Sequence, residues 1–228
     1  LLPGERGSRR CECQTAQETA ARLKRARIPA AFAGCTLENF TVRPHTSKAL
    51  AAARKYFDAF IPGARDRELR GLMLTGTVGV GKTHLAAGLL RSLIEQKGID
   101  GRFVTVPELL DRLRSSYDDN SIESQAQIMK TILGADLVVI DELGAARPSD
   151  WVFETIELLI GNLYNSGRPV LVTTNLANLA PGAGGAQNEY ARAARQETLG
   201  DRIGARMWSR LQQMCIAIDM SGPDWRGK

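Results

Sequence analysis

The sequence predicts an α/β fold with a mostly parallel sheet, and three observations carry that expectation. Short apolar runs alternate with helical stretches from residue 71 onward, the pattern of strand–helix–strand units. The runs are almost continuously hydrophobic, as strands covered on both faces are. A glycine-rich turn ending in Lys82-Thr83 joins the first run to the helix after it, a phosphate-binding arrangement.

The elements follow in order. Residues 14–27, QTAQETAARLKRAR, are rich in Ala and long charged side chains and predict a helix. Ile28-Pro29 ends it, because proline disfavours helix in the residue before it. A second helix is expected over residues 46–60, where Ala49, Leu50, Ala53, Phe57 and Phe60 fall near helical spacing. Pro62-Gly63 breaks it. Strand Gly71–Thr75 then leads to helix His84–Gln96, and strand Gly101–Val106 to a helix opening at Pro107, a favoured first helical position. A helix over 122–133 precedes the apolar strand Asp136–Ile140. Helix 150–165, strand Pro169–Thr174, a single helix over 198–213 and strand Cys215–Asp219 complete the series. Residues 181–188, PGAGGAQN, read as a loop. No internal repeat is visible.

Length and composition narrow the class. At roughly 150 residues per domain, 228 residues suggest one domain and an appendage. Apolar residues make up 43% and charged residues 24%, as in soluble globular proteins. No stretch reaches the ~18 consecutive apolar residues of a membrane span, so no membrane contact is expected. No secretory signal is read, and Leu1 in first place suggests a trimmed start. Four cysteines (Cys11, Cys13, Cys35, Cys215) form no dense framework, which points to a reduced, cytoplasmic protein. Cys215 sits in an apolar stretch and reads as core packing. The net charge is 30 − 25 = +5. Residues 1–34 hold seven basic and three acidic side chains, or +4 of that total. Such a basic arm suits nucleic acid, an acidic protein surface, or simply a solvated helix face.

The motifs carry the chemistry. Gly76-Thr77-Val78-Gly79-Val80-Gly81-Lys82-Thr83 matches G-x-x-x-x-G-K-[ST] between a strand and a helix. Its glycines let successive N–H groups face phosphate oxygens, and the helix adds its positive end. Lys82 is placed to reach the β- and γ-phosphates and Thr83 to hold Mg²⁺. Next, strand Leu137–Ile140 ends in Asp141-Glu142. Asp141 suits the Mg²⁺ shell and Glu142 can polarise an attacking water; two exposed acids ending a strand are the plainer reading. Thr173-Thr174-Asn175 closes the following strand, at the end where ligands sit in open α/β sheets. Asn175 there is either a γ-phosphate contact or a turn residue. Arg202, Arg206 and Arg210 recur every four residues and so line one face of the predicted helix. Arginine suits a transferring phosphoryl group, and a solvated basic face is the alternative.

Together these residues resemble an AAA+ ATPase, and more closely the DnaC/DnaI-type replicative helicase loaders and their relative, the IstB-type transposition ATPase. The resemblance runs over IPAAFAGCTLENF (28–40), GTVGVGKT (76–83), LVVIDELGA (137–145), SGRPVLVTTNL (166–176), LGDRIGARM (199–207) and DWR (224–226). It implies a five-stranded parallel sheet of order 5-1-4-3-2 with helices on both faces. Residues 1–34 would be the remnant of a basic, Cys-containing module and linker helix, and 35–228 the ATPase domain. By the same resemblance ATP or ADP contacts Gly76 to His84, with Phe40 packing against adenine. Asp141 and Thr83 hold Mg²⁺, Glu142 activates water, and Asn175 senses the γ-phosphate. Arg206 acts as a finger into a neighbouring subunit, Arg226 acts within its own subunit, and Tyr117 meets single-stranded DNA. The implied partners are a replicative DNA helicase, single-stranded DNA and further copies of the chain in a spiral or ring. The implied function is loading of a ring helicase onto single-stranded DNA, with an IstB-type transposition helper as the alternative. The stretch between Asn175 and Leu199 is longer than the family pattern. Cys11-Glu-Cys13 resembles half of a zinc module; zinc takes four ligands, so it is expected only in a fuller form of the protein, if at all.

Overall fold

The structure, a computed structural model, describes residues 12–63, 69–117, 123–184, 197–220 and 222–225. Helix α1 (Glu12–Ala26) and a 3₁₀ turn (Ala30–Phe32) precede α2 (Ser47–Ala59). Strand β1 (Gly71–Thr75) feeds α3 (Lys82–Lys97), and β2 (Gly101–Thr105) feeds α4 (Val106–Ser115). Then come α5 (Gln125–Leu133), β3 (Leu137–Asp141), α6 (Asp150–Asn165) and β4 (Val170–Thr174). The chain continues with α7 (Leu199–Ile203), α8 (Ala205–Met214) and β5 (Cys215–Asp219).

The five strands are all parallel, in the order β2-β3-β4-β1-β5. From the other edge this is the expected 5-1-4-3-2. Side chains alternate across a strand, and that alternation splits the interior into two cores. Leu72, Leu74, Leu137, Val139 and Leu171 pack with α1, α2 and α3. Met73, Val138, Ile140, Val170 and Val172 pack with α4, α5, α6, α7 and α8. The strands read as unbroken apolar runs because both faces are covered.

One expectation fails. The helix expected over 198–213 is two helices, divided at Gly204 (φ 82°, ψ 155°), a conformation essentially restricted to glycine. A capping box between Thr198 and Asp201 starts α7, and α8 begins afresh after the break. Arg202, Arg206 and Arg210 therefore do not line one face. Arg202 turns inward and donates to the carbonyls of Gly144 and Ala146 (3.3 and 2.9 Å). Arg206 is 75% exposed and pairs with Glu157 at 2.9 Å. Arg210 lies over the Tyr164 ring, 5.4 Å from its centre.

Candidate nucleotide-binding site

The strand order brings the motifs together. β4 lies between β1 and β3, so the P-loop after β1, Asn175 after β4 and the acids ending β3 sit side by side at the carboxyl edge of the sheet. There a cleft of about 280 Å³ is lined by Lys82, Thr83, Glu142, Thr173 and Asn175. Phe32, Phe40, Arg43 and Trp225 line it as well.

Gly79 and Gly81 take positive φ (78° and 98°), which lets the loop curl over the start of α3. Lys82 is buried, and its ammonium donates to the carbonyls of Gly76 and Thr77 (2.8 and 2.6 Å). Val80 points into the first core, while Val78 faces solvent. His84 meets Phe40 edge-on, with ring centres 5.3 Å apart. Its Nε2 lies 3.0 Å from Asn39 Oδ1, and burial pushes its pKa down, favouring the neutral ring at pH 7. Phe40 is itself buried and lines the cleft beside Gly81, where an added Cβ would fall 3.1 Å from its ring.

Asp141 is buried and accepts from the hydroxyls of Thr173 (2.6 Å) and Thr83 (3.0 Å) at the same Oδ1. Burial pushes its carboxyl pKa up, against those two hydrogen bonds and the Lys82 charge, which pull it down. Thr83 and Asp141 offer adjacent oxygen donors beside the P-loop, a set that fits Mg²⁺. Glu142 is exposed in the cleft, with a left-handed backbone (φ 59°) that is unfavourable for a residue with a Cβ.

Not every expected residue lies here. Arg206 is outside the cleft of its own chain. Tyr117 is on a separate surface at the end of α4, 61% exposed. Its hydroxyl is 3.4 Å from Trp151 Nε1, and Arg114 lies 4.8 Å over the Trp151 ring. Arg226, Cys11 and the side chain of Cys13 fall outside the described residues. The structure adds lining residues that no motif spacing announces. The guanidinium of Arg43 stacks on Trp225 at 3.5 Å, and His45 lies parallel to the same ring. The segment carrying Trp225 rests on the P-loop. Gly222 N–H donates to Thr77 Oγ1 (3.0 Å) and Trp225 N–H to Gly79 O (3.3 Å). A Cβ at Gly79 would fall 1.8 Å from Asp224 Oδ1. The sequence signal for the Trp225 segment is the DWR triplet.

Residues 59–180 match the family model of the IstB-like ATP binding proteins. The chain belongs to that family. This IstB-like protein is 29% identical to the replicative helicase loader DnaC of Escherichia coli K12 over 142 residues, covering 62% of this chain and 55% of DnaC. The chain thus spans about half the length of the curated relatives it matches. Among solved structures, a crystal structure of the DnaC helicase loader superposes with a TM-score of 0.67 at 28% identity, over 84% of this chain and 99% of that one. A crystal structure of DnaI gives a TM-score of 0.65 at 21% identity, over 88% and 95% of the two chains. The fold of this family member is that of AAA+ P-loop ATPases. Among the described residues, no helix is long and apolar enough to cross a membrane.

Proposed function

We propose that the chain is an ATPase that loads a replicative ring helicase onto single-stranded DNA during replication. The carrying observation is that Lys82, Thr83, Asp141, Glu142 and Asn175 meet at one end of the sheet, in a chain 29% identical to DnaC. Lys82 and the N–H groups of the P-loop bind the phosphates of ATP. Glu142 takes a proton from the attacking water, and Asn175 contacts the γ-phosphate or that water. Mg²⁺, when held at Thr83 and Asp141, neutralises phosphate charge. Phe40, Arg43 and Trp225 wall the base end of the cleft. Arg206 is exposed and outside its own cleft, which suits a cation offered to an adjoining copy; head-to-tail contacts of that kind build rings or spirals. Arg226 acts within its own subunit. Tyr117, with Trp151 and Arg114 beside it, offers stacking faces and a cation to single-stranded DNA. Residues 1–34 form a basic, Cys-containing module and linker helix ahead of the ATPase domain over 35–228 in this reading.

The test joins three measurements. ATP binding should vanish in Lys82→Ala, turnover but not binding should vanish in Glu142→Gln, and the wild-type protein should capture the replicative helicase of its host in a pull-down. Wild-type ATP affinity in Lys82→Ala would remove the nucleotide site. The family match favours one second reading, an IstB-type transposition helper that remodels duplex DNA. It gains support if the pull-down fails while ATP-dependent duplex binding is found.

A further inference from the structure

We infer that Thr173 is a positioning residue for hydrolysis, its hydroxyl and carbonyl holding Asp141 and Glu142 in their working arrangement. This rests on the ATPase reading above and extends it to a residue that no motif assigns.

The β3–β4 register sets Ile140 opposite Val172, so Asp141 and Thr173 are the next pair at the top of the sheet. Alternation decides where they point. Val139 and Leu171 face the α3 side, and Ile140 and Val172 face the other. Asp141 and Thr173 return to the α3 side, where α3 brings in Lys82 and Thr83. Thr174 faces away, and its hydroxyl donates to Leu143 O at 2.8 Å. The two threonines look alike in sequence, but only Thr173 meets the acids.

A threonine hydroxyl has one proton to give and lone pairs to accept with, and Thr173 uses both. It donates to Asp141 Oδ1 (2.6 Å) and accepts from Glu142 N–H (3.1 Å). Its backbone carbonyl accepts from Leu143 N–H (3.0 Å). Glu142 is thereby clamped on both sides of its unfavourable left-handed conformation (φ 59°), which persists only where the surroundings over-determine it. Thr173 itself is 2% exposed, so water does not readily replace a lost hydroxyl. With valine at this site, the Glu142 N–H loses its partner and the turn is free to relax. The Glu142 carboxylate then moves relative to the phosphates that Lys82 holds.

The experiment compares Thr173→Val with Thr173→Ser in the full chain, measuring phosphate release at saturating ATP and nucleotide affinity separately. Valine keeps the shape and removes the hydroxyl; serine keeps the hydroxyl. The expected result is a fall in kcat of about 10–100-fold in Thr173→Val, the scale of an ångström-sized misplacement, with ATP affinity retained. Thr173→Ser should recover most of the rate. Wild-type kcat in Thr173→Val overturns the inference. So does an equal loss in both variants accompanied by lost nucleotide binding. Turnover abolished by Glu142→Gln but untouched by Thr173→Val removes this inference alone, whereas a wild-type protein without turnover removes the ATPase reading and this inference with it.

Discussion

Two glycines in helix interiors, Gly88 in α3 and Gly161 in α6, should respond oppositely to the same substitution. Alanine is favoured over glycine inside a helix by about 0.8–1.0 kcal/mol, so propensity alone gains stability at both. The surroundings differ. A Cβ at Gly88 would lie 2.8, 3.0 and 3.1 Å from the C, O and Cα atoms of Thr36. All three are backbone, in a turn that Asn39 laces together. Thr36 N–H donates to Asn39 Oδ1 (2.8 Å), Asn39 N–H to Thr36 Oγ1 (3.0 Å), and Asn39 Nδ2 to Gly34 O (2.8 Å). The turn must move as a unit, and overpacking of this kind costs about 1–3 kcal/mol. Less the propensity gain, Gly88→Ala should lose about 1 kcal/mol, or about 2–4 °C in Tm for a domain of this size. Among the described residues, and beyond its own helix backbone, a Cβ at Gly161 would meet within 4 Å only Arg210 Nη1 (2.9 Å), the far end of a flexible side chain that can swing aside. Gly161→Ala should therefore raise Tm by about 2–4 °C. Function separates them too. The Thr36 turn leads to Phe40 in the cleft wall, so Gly88→Ala should also weaken ATP binding, while Gly161→Ala should not. Thermal unfolding followed by circular dichroism, with a fluorescent-ATP titration, reads both effects. A Tm rise in Gly88→Ala matching that of Gly161→Ala would refute the packing argument.

Three further outcomes are expected. Arg206→Ala should change folding stability by no more than about 0.5 kcal/mol, because its pair with Glu157 is exposed. It should lower turnover in the assembled protein, and mixing it with Lys82→Ala protein should restore some hydrolysis; no recovery from co-assembled variants would count against action between subunits. Burial pushes the Cys215 thiol up to about 12, so at pH 8 iodoacetamide should label it only after denaturation, and peptide mass spectrometry showing native labelling would contradict this. Arg25 donates to Asp100 (2.9 Å) and holds that carboxyl below its ordinary pKa. A depressed carboxyl stabilises the fold above its unfolded pKa and loses that contribution as pH falls through the folded value. Both groups are about half exposed, so Arg25→Ala should cost under about 1 kcal/mol at pH 7. Urea titrations should show the gap closing below the aspartate range, and a gap that persists there would assign it to packing.

Much of the fold is legible because the strands carry their own punctuation. Gly71–Thr75 and Cys215–Asp219 have the bounds expected from sequence, and helix 150–165 is found as expected behind its Ser149 cap. The P-loop and the Asp141-Glu142 pair are legible because their chemistry needs particular residue types at fixed spacing, and the sheet brings them to one edge. What escaped depends on partners distant in sequence. The role of Thr173 comes from the β3–β4 register, which no local pattern records. Arg43 and Trp225 meet across most of the chain length, and neither belongs to a periodic stripe. Gly204 escaped because a single glycine within a helical pattern is usually tolerated; its break follows from the dihedrals it adopts.

That break bears on how this family member can tolerate change in loop length. The phase of a continuous helix turns by about 100° for each residue added or removed within it, so an arginine borne on one is re-aimed by every insertion inside that helix. Here α7 is anchored independently. Asp201 caps it through Thr198 and accepts from Gly182 N–H at 3.0 Å, while Arg202 holds the carbonyls beyond Glu142. α8 then restarts its phase at Gly204, two residues before Arg206. The long stretch between Asn175 and Leu199 can gain or lose residues without rotating Arg206. Replacing Gly204 would strain its φ 82°, ψ 155° backbone and re-aim Arg206 relative to α7.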